Sequence, residues 1–221
     1  MVYRHKGNVL EGFTGGENYD RLAFVSGFPF SLYRKAAAEI PIVSSGMHVL
    51  DLGCGTASFS LALAERLDNN SKIYGIDLAQ KQISYAMQKT QKSDIPFEFR
   101  QCSMDTLPFE NNTFDAVISS MAFHEVPSSV RRRAIHETAR VLKPEGTFTL
   151  VDISRPQLGV MAVAGWLWFA SHGPDPALQD HWDNTFPMLC RQRNLQQITD
   201  TFLNATIRCQ IFRKGESTAT S

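Results

Sequence analysis

Little in this 221-residue chain points to metal, disulfide or membrane chemistry. It has only four cysteines, at 54, 102, 190 and 209, and no two form a CxxC pair. No histidine stands at zinc-ligand spacing from any of them, so reduced thiols are expected and no metal is implied. Neither sign of charge is in excess, since 22 Lys and Arg face 22 Asp and Glu. That balance lacks the basic footprint of a nucleic-acid binder, so no nucleic-acid partner is expected. The triplet "RRR" at 131–133 reads as a solvated helix face. Long apolar runs are missing too. The longest, "LGVMAVAGWLWFA" at 158–170, falls short of the ~20 residues a bilayer-crossing helix needs, which argues against stable membrane insertion. The opening "MVYRHKGNVLEGF" contains no apolar export signal, and a cytoplasmic location is the expectation.

What is present is a regular alternation. Short runs rich in β-formers, "HVLDL" 48–52, "KIYGID" 72–77, "FEFRQC" 97–102, "TFDAVISS" 113–120 and "TFTLVDI" 147–153, are separated by helical patterns at 57–67, 79–90 and 127–142. Strands alternating with helices predict an α/β fold, a doubly wound, mostly parallel sheet with helices on both faces. Ligands of such sheets bind beyond the carboxyl ends of the strands, at the switch in strand order. Before this core, apolar residues recur at helical spacing from Tyr19 to Ile40 with a break at Pro29, which predicts two short helices. After it, "QQITDTFL" 196–203 reads as a helix, "ATIRCQIF" 205–212 as a strand and "KGESTATS" as a disordered tail.

The chemistry concentrates in "VLDLGCGTASFS", 49–60, where a strand gives way to a glycine turn and then a helix. Backbone amides at a helix start carry unsatisfied donors and partial positive charge. Dinucleotide enzymes exploit this with G-x-G-x-x-G. Here Ser58 stands at the third glycine's place, and the small Ala57 instead gives G-x-G-x-A. Asp77, at the end of the second strand, is placed to accept hydrogen bonds from ribose hydroxyls, which both dinucleotides and S-adenosylmethionine possess. It can equally cap the helix at 79–90.

Four segments in register, "VLDLGCGTASFSLALAERL", "IYGIDLAQKQISYA", "DTLPFENNTFDAVISSMAFHEV" and "ARVLKPEGTFTLVDIS", resemble the successive motifs of class I S-adenosylmethionine-dependent methyltransferases over about residues 48–154. "LPF" followed by "NTFDAV" most resembles the small-molecule group that includes the ubiquinone and menaquinone biosynthesis C-methyltransferases.

The resemblance implies a Rossmann-like sheet of six or seven strands, a helical lead and a helical insertion after the fifth strand. With only one clear strand after residue 155, the sixth is either hidden in 158–170 or absent, and a homodimer partner would then cover the edge. The implied organisation is one domain: a lid at 1–45, a cofactor core at 46–154, acceptor-side helices at 155–204, a final strand at 205–213 and the tail.

The implied cofactor is S-adenosyl-L-methionine. Its methionine part falls to Gly53, Gly55 and Thr56. Asp51 lies near its amino group, or acts as a structural carboxylate of the turn. Asp77 takes the ribose and Leu78 lies against the adenine. Ser103 and the Met104 amide recognise that ring, with Asp105 able to substitute for the short Ser103. Ser119 and Ser120 stand beside the amino group and reactive sulfonium. Tyr19 closes over the carboxylate end, or simply begins a helix. His124 is a candidate catalytic base for a small-molecule acceptor that must lose a proton, or else a packing residue.

The acceptor side falls to the variable segments 13–34 and 155–190, where Trp166, Trp168, Phe169, Trp182 and Phe186 suit a hydrophobic or aromatic acceptor, a packed core or a dimer surface. The alternatives are a cofactor-binding regulator without catalysis and a nicotinamide-dependent dehydrogenase. For the latter, Tyr85 and Lys89 have the right spacing but lie on a helix face far from where that site belongs.

Overall fold

Five apolar strand segments wound with amphipathic helices can bury their faces only by stacking side by side, and the computed structural model shows them doing so. It describes residues 16, 18, 20, 21, 30–42, 44–154 and 185–216. The elements are α1 (Phe30–Glu39), β1 (His48–Leu52), α2 (Ser58–Ala64), β2 (Lys72–Asp77), α3 (Gln80–Thr90), β3 (Phe97–Gln101), β4 (Phe114–Ser120), α4 (Ser128–Val141), β5 (Leu142–Ile153), α5 (Thr185–Arg191), β6 (Leu195–Phe202) and β7 (Ile207–Lys214). A single 3₁₀ turn, Phe123–Glu125, follows β4.

The strands form one seven-stranded sheet in the order β3-β2-β1-β4-β5-β7-β6. β1 to β5 pair in parallel, and β7 enters antiparallel between β5 and β6. The order reverses between β1 and β4, so their carboxyl ends flank the crevice where such sheets take ligands. Residues alternate across β1. Val49 packs with α1 and α2 through Ala37, Phe59 and Leu63, while Leu50 and Leu52 pack on the other face with Ile135 and Phe148. Each such side chain contributes about 1.5–3 kcal/mol on burial, which fixes the height at which β1 ends and the turn begins. Among the described residues no helix is long and apolar enough to cross a membrane, and the run 158–170 lies outside them.

Two sequence expectations are corrected. The segment 196–203 falls almost wholly in the edge strand β6, Leu195–Phe202, and is not a helix, so the stretch 155–204 is not helical throughout and the sheet reaches seven strands without help from 158–170. Leu195, Ile198 and Phe202 do fall at helical spacing. However, Ile198 and Phe202 are 44% and 40% exposed, and a register shift between Gln197 and Thr199 breaks the two-residue alternation there. Arg131 is not part of a solvated face. It is 2% exposed and its guanidinium donates to the carbonyls of Phe123 (3.2 and 3.1 Å) and Val126 (3.2 Å). For Phe186 the packed-core alternative is the one observed. It is 2% exposed in a ring cluster, with centroids 5.4 Å from Phe123 and 5.8 Å from Phe212.

Candidate functional site

β1 ends in a turn whose two glycines have different reasons to be glycine. Gly53 has φ 68°, and a Cβ there would sit 2.7 Å from the Ala122 Cβ, so a side chain would push the turn off the β4 loop. Gly55 has φ 49°, and a Cβ there would meet nothing within 4 Å, because it would project into open space. That space is a cleft lined by Gly53, Gly55, Asp77, Leu78, Gln82, Cys102, Ser103, Met104, Ser120, Met121, Ala122, Glu125 and Val126, together with Ala79 and Val130. It opens where the topology places it, over the ends of β1, β2 and β4. Met121 reaches it from a left-handed backbone, φ 54°, which costs a non-glycine residue about 1 kcal/mol and directs the chain into the following 3₁₀ turn.

The carboxylate of Asp77 knits this rim together. One oxygen accepts the Gly55 amide at 2.9 Å and the other the Ala79 amide at 2.8 Å, which starts α3. Asp77 thus holds the amide of Ala79, the N-cap residue of α3, without itself being the N-cap, and each oxygen keeps a further lone pair. Burial raises the Asp77 carboxyl above its ordinary value, the amides of Ala79 and Gly55 pull it back, and Glu125 adds repulsion. Asp51 lies deeper, 1% exposed. The Ser60 hydroxyl donates to one of its oxygens at 2.6 Å, while the other is buried without a hydrogen-bond partner among the described residues. Burial lifts Asp51 to about 7, with Ser60 opposing and Asp77 adding to the rise.

The remaining expected residues divide. Leu78, Ser103, Met104 and Ser120 line the cleft with the glycines and Asp77. The Ser103 hydroxyl donates to Asp105 at 2.5 Å, and Asp105 is also engaged by Arg133 at 2.7 Å, so Asp105 is tied up outside the cleft lining. Ser119 does not face the cleft. It is fully buried and donates to the Leu52 carbonyl at 2.7 Å, which binds β4 to β1. Thr56 is 3% exposed and donates to Asp20 at 2.5 Å. Asp20 also takes the Lys89 ammonium at 2.6 Å, and the Gly16 amide donates to Gln82 at 3.1 Å, so the described part of the lead docks on α3 and the start of α2. Lys89 is thereby engaged by Asp20 and Ser58 outside the cleft lining, whereas the dehydrogenase alternative needs it in the site. Tyr19, Trp166, Trp168, Phe169 and Trp182 lie outside the described residues.

His124 sits in the 3₁₀ turn behind the lining rather than in it. Its ring Nδ1 is 2.6 Å from Asp152, its backbone amide donates to the same carboxylate at 3.1 Å, and its Nε2 is 3.6 Å from Glu125. Burial alone would lower the ring's pKa, but Asp152 and then Glu125 outweigh it and raise it from 6.5 to about 10. With its pKa raised by Asp152 and Glu125, and set outside the described cleft lining, His124 would act as a base only once that proton were displaced. Asp152, an acid inside the apolar run "TLVDI", is the partner that sequence reasoning passed over. Glu125, next to the histidine, is the carboxylate that faces the cleft.

The pairing has a measurable consequence. A histidine pKa raised on folding stabilises fully below the unfolded value of about 6.5, and that contribution is lost as pH rises through about 10. By proton-detected titration, His124 should remain imidazolium well above pH 8, and Asp152→Asn should bring its titration down toward neutrality. A wild-type His124 titrating near 6.5 would contradict the geometry.

The cleft's chemistry is selective. Among the described residues its charged lining is Asp77 and Glu125, with no Lys or Arg. The Gly55 amide, which a phosphate would want, already donates to Asp77. These features suit a cationic ligand with hydroxyls and repel an anionic pyrophosphate.

Comparison with known proteins agrees. Residues 49–146 match the family model described as "Methyltransferase domain". A demethylmenaquinone methyltransferase of Listeria welshimeri is 30% identical over 151 residues, 67% of this chain and 61% of that protein, so the chain spans about three fifths of the length of this relative. One of Lactiplantibacillus plantarum is 30% identical over 173 residues, 76% of this chain and 72% of that protein. The crystal structure of a SAM-dependent methyltransferase from Aquifex aeolicus superimposes with a TM-score of 0.65 at 19% identity, covering 82% of this chain and 89% of that one.

Proposed function

The chain belongs to the class I S-adenosylmethionine-dependent methyltransferases, and on that footing we propose that it transfers a methyl group to a small hydrophobic or aromatic acceptor. The cleft residues fit the cofactor of that family. Among the described residues, the left-handed Gly55 leaves open the space a side chain would fill, the lining carries Asp77 and Glu125 with no Lys or Arg, and Asp51, buried outside that lining, has one oxygen without a hydrogen-bond partner. When bound, S-adenosylmethionine supplies a methyl group already activated on a sulfonium.

In this proposal the chain does the holding. Asp77 keeps its amide contacts and offers its remaining lone pairs to the ribose. Leu78 and Met104 flank the adenine, with Ser103 at its edge. Gly53, Gly55 and Asp51 receive the methionine end, and Ser120 leaves room beside the reacting centre. Tyr19 and the lead at 1–45 cover the opening, a role supported by Gly16 and Asp20, which already dock beside it. Catalysis by such a site is mostly orientation and exclusion of water, which is why no nucleophilic triad is needed.

The acceptor class rests on the apolar segment 155–190 and on the relatives, whose names say that they methylate demethylmenaquinone. A cytoplasmic location accords with the absence of a membrane-crossing helix among the described residues, and the exposed edge of β6 would suit a second copy.

The single observation that carries the proposal is the acidic cradle, lined by Asp77 and Glu125 among the described residues, at the switch point between β1 and β4. Incubation with methyl-labelled donor and a panel of quinols and phenols tests it. Label should move to an aromatic acceptor, and Trp166→Ala should slow that transfer without weakening donor binding. Donor binding with no transfer to any acceptor would instead mark the chain as a cofactor-binding protein without catalysis.

A further inference from the structure

Glu125 has no part in the expected site, yet its carboxylate lines the cleft and its side chain is one-third exposed. Three features hold it there. The guanidinium of the buried Arg131 grips the carbonyls on either side of the 3₁₀ turn, at Phe123 and Val126. The His124 amide and ring are both fixed to Asp152, which is 2% exposed on β5. The His124 Nε2 then faces Glu125 at 3.6 Å. A turn tied down at both ends and in the middle carries its one cleft-facing carboxylate at a set position.

The charges do not cancel. The His124 imidazolium stands between two carboxylates and lies nearer Asp152, at 2.6 Å. With two carboxylates to one histidine, the row Asp152, His124, Glu125 keeps at least one net negative charge whichever way the ring titrates. Asp77, lining the same cleft, adds another and is close enough to feel Glu125. Arg131 lies behind the turn, held on its carbonyls, and does not line the cleft. A ligand in the cleft thus meets a negative potential that the described lining residues do not neutralise.

We propose that Glu125 is a charge-selecting residue, which favours the cationic methyl donor over its neutral demethylated product. The inference rests on the donor reading above. The donor carries a sulfonium, whereas the product carries a thioether and is otherwise the same molecule. A fixed carboxylate in a partly desolvated cleft separates two ligands of the same shape by charge alone. It strengthens entry of the donor and leaves the product without that attraction. The sequence analysis assigns Glu125 no role, because nothing local to "MAFHEV" says which of its side chains meets the cleft.

Titration calorimetry with S-adenosylmethionine and S-adenosylhomocysteine on wild type and Glu125→Gln is the test. The substitution keeps shape and removes charge. The donor-to-product affinity ratio should fall about five- to tenfold, through loss of donor affinity with product affinity unchanged. Glu125→Asp, which keeps the charge, should hold the ratio within about twofold of wild type, and raising the salt concentration should narrow the wild-type ratio. An unchanged ratio in Glu125→Gln, or equal weakening of both ligands, would overturn the proposal while leaving donor binding intact. Failure of wild type to bind either ligand would overturn the donor reading itself.

Discussion

Asp77→Asn weakens S-adenosylmethionine binding about a hundredfold and leaves the protein folded. The magnitude follows from the contacts at stake. Hydrogen bonds from hydroxyls to a charged acceptor are worth about 1.5–3 kcal/mol each, and losing the charge at two of them removes roughly two orders of magnitude in affinity. The folding cost is smaller but real. Both carboxylate oxygens accept backbone amides, from Gly55 and Ala79, and an asparagine can present only one acceptor to the two. Its NH2 group is left against an N–H, which costs about 1–2 kcal/mol in stability. Chemical denaturation and donor titration on the same sample separate the effects. A stability loss with full donor affinity would reduce Asp77 to a support for the start of α3.

Arg131→Met destabilises the protein by about 2–4 kcal/mol, a large effect for one substitution in an arginine triplet. Methionine keeps much of the apolar stem's volume, so the loss comes mainly from the guanidinium rather than from a cavity. The carbonyls of Phe123 and Val126 lose their donor, and a buried unpaired carbonyl costs the full desolvation of that group. The loss also reaches the site, because those carbonyls bracket the turn that presents Glu125 to the cleft. Urea unfolding of Arg131→Met beside Arg132→Met, at the exposed neighbour, is the measurement. Equal midpoints in the two variants would contradict the bracing role.

The parts legible in the sequence are those with strong periodicity or hard steric demands. β1, β2 and β4 were readable because strands buried on both faces are nearly continuous apolar runs, and the turn because two left-handed positions in three residues call for glycine. β6 was not readable. An edge strand has one neighbour, needs few apolar residues, and here carries them at intervals that imitate a helix. Arg131 looked like its exposed neighbours because charge density along a helix says nothing of which arginine turns inward.

The site was legible to the same extent. Gly53, Gly55 and Asp77 are fixed by backbone geometry that the motif spacing encodes. Ser119 and Ser120 are adjacent in a strand and so must face opposite sides, but the sequence does not say which one faces the cleft. The protonation of His124 depends on Asp152, 28 residues away and joined to it only by the pairing of β4 with β5. Long-range electrostatics of this kind are invisible to local pattern.

The central claim is that the cleft at the ends of β1 and β4 holds an adenosyl sulfonium donor rather than a dinucleotide. Titration calorimetry of the full chain with S-adenosylhomocysteine and, separately, with NADH tests it most directly. The account predicts saturable one-to-one binding of S-adenosylhomocysteine, lost in Asp77→Asn, and no heat of binding for NADH. Binding of NADH in place of S-adenosylhomocysteine, or S-adenosylhomocysteine affinity that ignores Asp77, would contradict it.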